Sequence, residues 1–267
     1  MKLSALYRYP VKSVQAQSLQ ASPVGSLGLD GDRRWMVVEA DNGRFLTQRA
    51  WPALGQIRAV CQPGGSLVLQ APGFAPLAVA VPPADDALRG VTIWRDTLRV
   101  PDAGDAAAAW LSELLGKPVR LVHCPEPRAR YLPSGYGLNS DRAAFPDGFP
   151  LLLIGQASLD ELSRRVGRPM EMLRFRPNLV VEGAEAFAED HWKRIRIGDM
   201  TFRVLKPSVR CILTTLDPAT GERSPDREPL TTLKTFREKE GDVLFGQNLA
   251  VDGEGQLSVG MDVQVLE

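Results

Sequence analysis

Short runs of about strand length recur through this chain, each rich in Val, Leu, Ile or aromatic residues and each closed by Gly, Pro, Asn or Asp. Within the first hundred residues LSALYRY, RRWMVVEA, GRFLTQ, QIRAVC, SLVLQ, APLAVAV and VTIWRDTLRV read in this way. RFRPNLVVEG, KRIRIGD, MTFRVLKP, RCILTTL, FGQNLAV and LSVGMDVQVL follow after residue 170. Many short strands at this spacing leave few options other than a barrel or sandwich. Three helices interrupt them. The first is expected over Gly104–Leu115, with Asp102 or Asp105 to cap its start and Gly116 then Pro118 to stop it. The others are expected around Ala157–Val166 and Leu230–Arg237. The fold class is therefore mainly β with a few helices, α+β overall.

Between the first two helices, HCPEPRARYLPSGYGLNSDRAAFPDGFP has almost no period, and an irregular stretch of that length is usually functional. A seam between two units is placed at its start, giving domains 1–122 and 123–267.

Charge and cysteine usage narrow the function. Thirty-two basic residues balance thirty-two acidic ones, so no global field favours a nucleic acid polymer or an anionic membrane. The apolar runs, such as PLLLIG, fall short of a membrane span, and MKLSALYRYPVKS lacks the core of a secretory signal. A cytoplasmic protein is expected. Cys61, Cys124 and Cys211 are far apart with no CxxC pair, and His123 and His191 lack metal-ligand spacing, so both histidines read as structural.

Cys211 is different in its neighbourhood. Lys206 and Arg210 flank it in KPSVRCILTT, and nearby cations favour a thiolate, which is a soft ligand or a nucleophile. The alternative is a small buried hydrophobe inside a β run. Other cations and hydroxyls open or close strands: Lys12 and Ser13 in YPVKS, Arg33 in GDRRW, Arg176 and Asn178 in FRPNL. Each alone is ordinary surface chemistry; together they form a set of donors for a phosphate or an amide-rich ring.

The strings YPVKS, GLDGDRRW, FPDGFPLLLIGQASL, FRPNLVV, KRIRIGD, VRCILTTLDPATG, PLTTLKTFR and FGQNL, in this order and spacing, resemble the MOSC proteins that bind the molybdenum cofactor. Among these the chain is most similar to the bacterial YcbX-type reductases and the mitochondrial amidoxime-reducing component. The resemblance implies a MOSC β-barrel with a smaller amino-terminal β-rich domain, whose first ~33 residues help line a site between the two. It implies Mo-molybdopterin, with Cys211 as the one protein ligand of the metal, since the pterin brings two sulfurs of its own. Lys12, Ser13, Arg33, Arg176, Asn178, Arg210 and Asn248 are implied cofactor-binding residues, and Asp147 an implied catalytic residue that orients water or substrate or donates a proton. Where the relatives commonly read Ser-Arg-Cys, this chain reads Val209-Arg210-Cys211.

The activity implied is reduction of N-hydroxylated small molecules such as hydroxylamines, amidoximes and N-hydroxylated bases. Without a cysteine cluster or dinucleotide fingerprint in the chain, electrons are expected from a separate ferredoxin-like or flavoprotein partner. Two rivals stand beside it: a carrier of the cofactor or of sulfur without turnover, and a small-ligand binding protein whose cysteine is only packed.

Overall fold

A computed structural model describes residues 1–267. Its centre is one large sheet. In spatial order it runs Gln17–Leu19, Lys2–Arg8, Leu179–Glu182, Leu151–Gly155, Asp242–Asp252, Met200–Arg210, Arg194–Ile197 and Val263–Val265. The last strand of this order meets the second, Lys2–Arg8. Leu3 N donates to Met261 O at 2.9 Å and Val263 N donates to Met1 O at 3.0 Å, so the sheet closes into a barrel and leaves little free edge. Its interior is a cluster of 17 buried apolar residues, with Leu3, Leu6, Leu153, Leu179, Ile195 and Phe202 all at 0% exposure. Arg194–Ile197 shows why the strands form: Ile195 and Ile197 face the core while Arg194 and Arg196 face outward. All pairs are antiparallel except Leu151–Gly155 with Leu179–Glu182. Those two run parallel, joined by a crossover that contains helix α2 (Gln156–Val166).

The amino-terminal half contributes smaller sheets. Trp35–Glu39 pairs with Val119–His123, and Arg58–Cys61, Leu67–Gln70 and Leu77–Val79 form a three-stranded meander. Helix α1 (Asp105–Leu115) packs Ala107, Leu111 and Leu115 onto these strands in a second core of 16 residues. The first strand of the chain, though, belongs to the barrel, and Ala21–Gly25 pairs with Gly255–Ser258 near the far terminus. Two segments therefore reach from the barrel to the second core, residues 9–16 with Lys12 and Ser13 and residues 30–34 with Arg33, and Val11, Val14 and Trp35 pack into that core. No helix of the chain is long and apolar enough to cross a membrane.

Several local expectations change in three dimensions. GRFLTQ is not a strand; it joins its neighbours only through the bridges Val38 to Phe45 and Arg44 to Thr92. VTIWRDTLRV falls within a hairpin, Leu88–Ile93 with Asp96–Pro101, turning at Trp94 and Arg95. LSVGMDVQVL divides into Gly255–Ser258 and Val263–Val265. MTFRVLKP continues through Pro207 as one strand to Arg210, because the register shifts twice there and the ladder needs no donor from the proline. RCILTTL is not a strand: Ile212–Thr215 is a 3₁₀ turn that begins immediately after Cys211. At α1, Gly104 takes the cap position with no side-chain cap. Asp102 instead accepts from Gly104 N at 2.9 Å and from the guanidinium groups of Arg89 and Arg120. Gly116, left-handed at φ 67°, ends that helix, and α3 (Leu230–Arg237) lies where its sequence placed it.

Candidate functional site

At the junction of barrel and second core a cleft of about 290 Å³ opens. Lys12, Ser13, Arg33, Asp147, Arg176, Asn178, Arg210, Cys211 and Asn248, drawn from six separate stretches of sequence, all line it. An adjoining cavity of about 350 Å³ shares Gln48, Arg174, Arg176 and Leu213 with the cleft. Spaces of this size are typical of small-molecule sites.

Cys211 stands at the end of Met200–Arg210, where the 3₁₀ turn begins. Its carbonyl is held by Thr214, whose N and Oγ1 both donate to it, which fixes the backbone and leaves the half-buried thiol at the cleft wall. Burial pushes the other two thiols, Cys61 and Cys124, up to about 11, and neither lines the cleft. No group of three or more His, Cys, Asp or Glu side chains is close enough to hold a metal by itself.

The cations of the cleft divide into spent and free. Arg210 donates to Phe245 O at 2.7 Å and Phe175 O at 3.0 Å, so it buttresses the strand that carries Cys211. Arg33 donates to Asp32 at 2.7 Å, Asn178 Oδ1 at 3.1 Å and Arg176 O at 3.1 Å. Asn178 is fully buried and tied on both sides of its amide: it also accepts from Leu152 N and donates to Tyr7 O. Asn248 donates to Lys206 O across the register shift. These four hold the walls in place. Arg174 donates to Leu216 O at 2.9 Å but leaves its buried Nε without a partner, and Arg176 spends no side-chain donor at all. Its guanidinium lies 4.2 Å from the Tyr9 ring centroid, and its buried Nη2 has no hydrogen-bond partner. Burial pushes Arg176 down to about 10 and Arg210 to about 9, against the stabilising pull of Tyr9 and Cys211 respectively.

Lys12 is buried, and this lowers its ammonium to about 8 despite the pull of Asp147. Nζ donates to Phe145 O at 2.9 Å and to Asp147 Oδ1. The protein around the cleft mouth desolvates the Asp147 carboxyl in part, which alone would raise it, but Lys12, Arg49 and the Trp94 indole hold it well below the carboxylate range. Its side chain remains 65% exposed, so solvent screens the ion pair and its value is chemical more than structural.

Backbone strain gathers here. Eight non-glycine residues have left-handed backbones; Ser13 (φ 70°), Arg33 (φ 46°) and Arg176 (φ 56°) line the cleft, and Trp94 (φ 54°) stands at its rim.

Three contributors escaped the sequence reading. Arg49 Nη1 donates to Cys211 Sγ at 3.7 Å, a contact none of the motifs suggested. Its signal was a cation just past the apolar run of GRFLTQR, the same strand-edge pattern that marked Arg33. Tyr9, fully buried between Arg33 and Arg176, is the aromatic of YPVKS, read there only as part of a strand. Trp94 donates Nε1 to Asp147 Oδ1 at 3.2 Å, and nothing in the sequence marked it, since VTIWRDTLRV reads as one strand-like run. His123 stacks on Trp35 at 4.6 Å away from the cleft, and burial lowers it to about 4; His191 is exposed.

The lining carries seven basic side chains against one acidic one, together with a thiol. An unpartnered buried guanidinium and a buried ammonium are costly, and both are relieved by an anionic, hydrogen-bonding guest. The donor set therefore fits a phosphate-bearing pterin, and one thiol suffices where the guest supplies the other sulfurs.

Comparison with known proteins agrees with this chemistry. Residues 1–118 match the model of the MOSC N-terminal beta barrel domain and residues 140–264 that of the MOSC domain, which is a molybdenum cofactor-binding domain. The chain is 33% identical to mitochondrial amidoxime-reducing component 1 of Danio rerio, over 98% of this chain and 83% of that protein. To its counterpart in Homo sapiens it is 32% identical, over 99% and 82%. It is 31% identical to a molybdenum cofactor sulfurase of Oryza sativa subsp. japonica, over 98% of this chain but 34% of that protein. Two matched domains, near full-length relatives and a thiol set in a cationic cleft make this chain a member of the MOSC family, with the molybdenum cofactor as its cofactor.

Proposed function

We propose that this protein is a molybdenum cofactor-dependent reductase of N-hydroxylated compounds: hydroxylamines, amidoximes and N-hydroxylated bases. The observation that carries the reading is Cys211, the one thiol that opens on the cleft, beside Arg49 and among cations with a buried donor to spare. The relatives named as amidoxime-reducing components support the substrate class.

When bound, the cofactor supplies the two-electron couple for cleavage of the N–O bond. The reaction consumes two electrons and two protons and yields the reduced nitrogen compound and water. Cys211 would anchor the metal, and Arg176, Ser13 and Lys12 would take the pterin and its phosphate. Arg33, Asn178, Arg210 and Asn248 act one step back, by fixing the walls. We assign a transferable proton to Lys12 Nζ rather than to Asp147, because the pair holds Asp147 ionised while burial brings Lys12 near neutrality. Asp147 then orients Lys12 and the incoming hydroxyl as an acceptor.

Electrons come, in this reading, from a separate ferredoxin-like or flavoprotein partner, in a cytoplasm reducing enough to keep three cysteines free. The two functional units divide near residue 123, with the first ~33 residues serving both.

The decisive experiment combines metal analysis with a reductase assay on protein from cofactor-replete cells. Stoichiometric molybdenum with turnover of benzamidoxime or a hydroxylamine is expected. Bound cofactor without turnover selects a carrier or sulfur-transfer module, and absence of metal selects a binding protein of another kind. The Cys211→Ala variant should fold, judged by an unchanged circular dichroism spectrum, yet lose activity and molybdenum. Turnover at the native rate in that variant overturns the assignment.

A further inference from the structure

Trp94 sits in a place that suits a glycine. It is the first of two residues joining Leu88–Ile93 to Asp96–Pro101, at φ 54°, where a bulky side chain is strained. Packing does not explain the choice. The ring is 45% exposed, and its one aromatic neighbour, Phe45, meets it edge-on at 5.0 Å.

What the strain secures is a pair of polar contacts. The indole Nε1 donates to Asp147 Oδ1 at 3.2 Å, and the Arg49 guanidinium lies 5.0 Å from the ring centroid. Arg49 Nη1 in turn lies 3.7 Å from Cys211 Sγ, and Asp147 accepts from Lys12. A single ring thus touches both the anion that holds the lysine and the cation beside the thiol, while it contributes nothing to the cleft wall itself. Exposed arginines and aspartates ordinarily sample many rotamers; a rigid ring on a two-residue turn removes that freedom from both at once.

We propose that Trp94 is a positioning residue for the reduction, held at a strained turn so that Arg49 stays against the Cys211 sulfur and Asp147 stays against Lys12. The proposal rests on the reductase reading for its kinetic consequence, but not for its geometry.

Two variants separate the contacts. Trp94→Phe keeps a ring for Arg49 and Phe45 and deletes only the N–H donor. Trp94→Gly suits the turn and deletes both contacts. In molybdenum-loaded protein, with reduced methyl viologen as electron donor and benzamidoxime as substrate, Trp94→Gly should lower kcat by about 10- to 100-fold, with KM little changed. Trp94→Phe should fall between it and the native protein. The second readout needs no cofactor. In the cofactor-free protein, Cys211 alkylation is followed by mass spectrometry with negatively charged iodoacetate and with neutral iodoacetamide. Arg49 beside the sulfur favours the anionic reagent, so the ratio of the two rates should drop severalfold in Trp94→Gly and hold in Trp94→Phe.

An unchanged ratio in Trp94→Gly overturns the proposal, whatever happens to activity. A lowered melting temperature with ratio and kcat at native values in both variants overturns it too, since packing is then all the ring provides. If the native protein reduces no N-hydroxylated substrate but the ratio falls as expected, the reductase reading fails and the positioning of Arg49 stands.

Discussion

Arg176 and Arg33 both lie against the Tyr9 ring, and the chain uses them in opposite ways. Arg33 spends its donors on Asp32, Asn178 and a carbonyl, so it belongs to the fold. Arg176 keeps a buried donor without a partner, which costs stability and suits a ligand. Replacing Arg176 with Met keeps the stem on Tyr9 and removes that cost. The cofactor-free variant should therefore melt no lower than the native protein, while cofactor retention weakens by about 1.5–3 kcal/mol, the usual worth of a charged hydrogen bond. Molybdenum content after dialysis, set beside a melting curve, measures both. Lys12 gives the pH dependence. Its ammonium, lowered to about 8, is charged below that pH and neutral above it, so retention of an anionic cofactor should fall as pH rises through about 8. The cofactor-free protein should show the opposite slope. It carries the cost of burying the charge below about 8 and is relieved of it between there and the ordinary 10.5, where the unfolded chain holds the proton that the folded chain has lost. The motif match named both residues, but the sequence could not tell the free guanidinium from the tied one, because partners such as Asn178 lie more than a hundred residues away.

At the scale of single elements, two long strands do most of the placing. Met200–Arg210 and Asp242–Asp252 pair along nearly their whole length, with register shifts around Lys206 and Pro207 opposite Gln247 and Asn248. Those shifts turn Lys206, Arg210 and Cys211 toward the cleft at the end of an otherwise regular ladder. Gly246 makes the close approach possible. It has φ 76°, and a Cβ there would meet Ile154 Cγ1 at 2.6 Å, Leu153 O at 2.8 Å and Arg210 Nη2 at 3.3 Å. Gly246→Ala should cost about 2–4 kcal/mol, from overpacking and a left-handed backbone together, and should loosen Arg210 and lower molybdenum occupancy. Urea denaturation with metal analysis checks both effects. The FGQNL string had drawn notice for Asn248, which only braces the strand pair; the glycine two residues earlier is what admits Arg210. The three helices were legible almost to the residue, since periodicity and glycine stops are local. RCILTTL was misread as a strand because its composition is β-like, while the turn at Cys211 is imposed by Thr214 hydrogen-bonding back to the Cys211 carbonyl.

Over the whole molecule, barrel and second core are separate apolar clusters that share the polar cleft between them. A guest anchored to Cys211 on the barrel side and to Lys12, Ser13 and Arg49 on the other ties the two together. Loading the cofactor should therefore raise the melting temperature, by the free energy a tightly held ligand contributes to the folded state, and Cys211→Ala should show no such rise. Differential scanning calorimetry of loaded and cofactor-free protein tests this. The sequence by itself determined the β-rich class, the helices, the singular cysteine and the family, because these depend on local pattern or on strings that survive intact. Tertiary structure alone decided which cations are free, that Arg49 meets the Cys211 thiol and Trp94 meets Asp147, and that the first strand joins the barrel. Those facts depend on contacts between residues far apart in the chain, where burial and partner geometry, not residue type, set the charge and reach of each group.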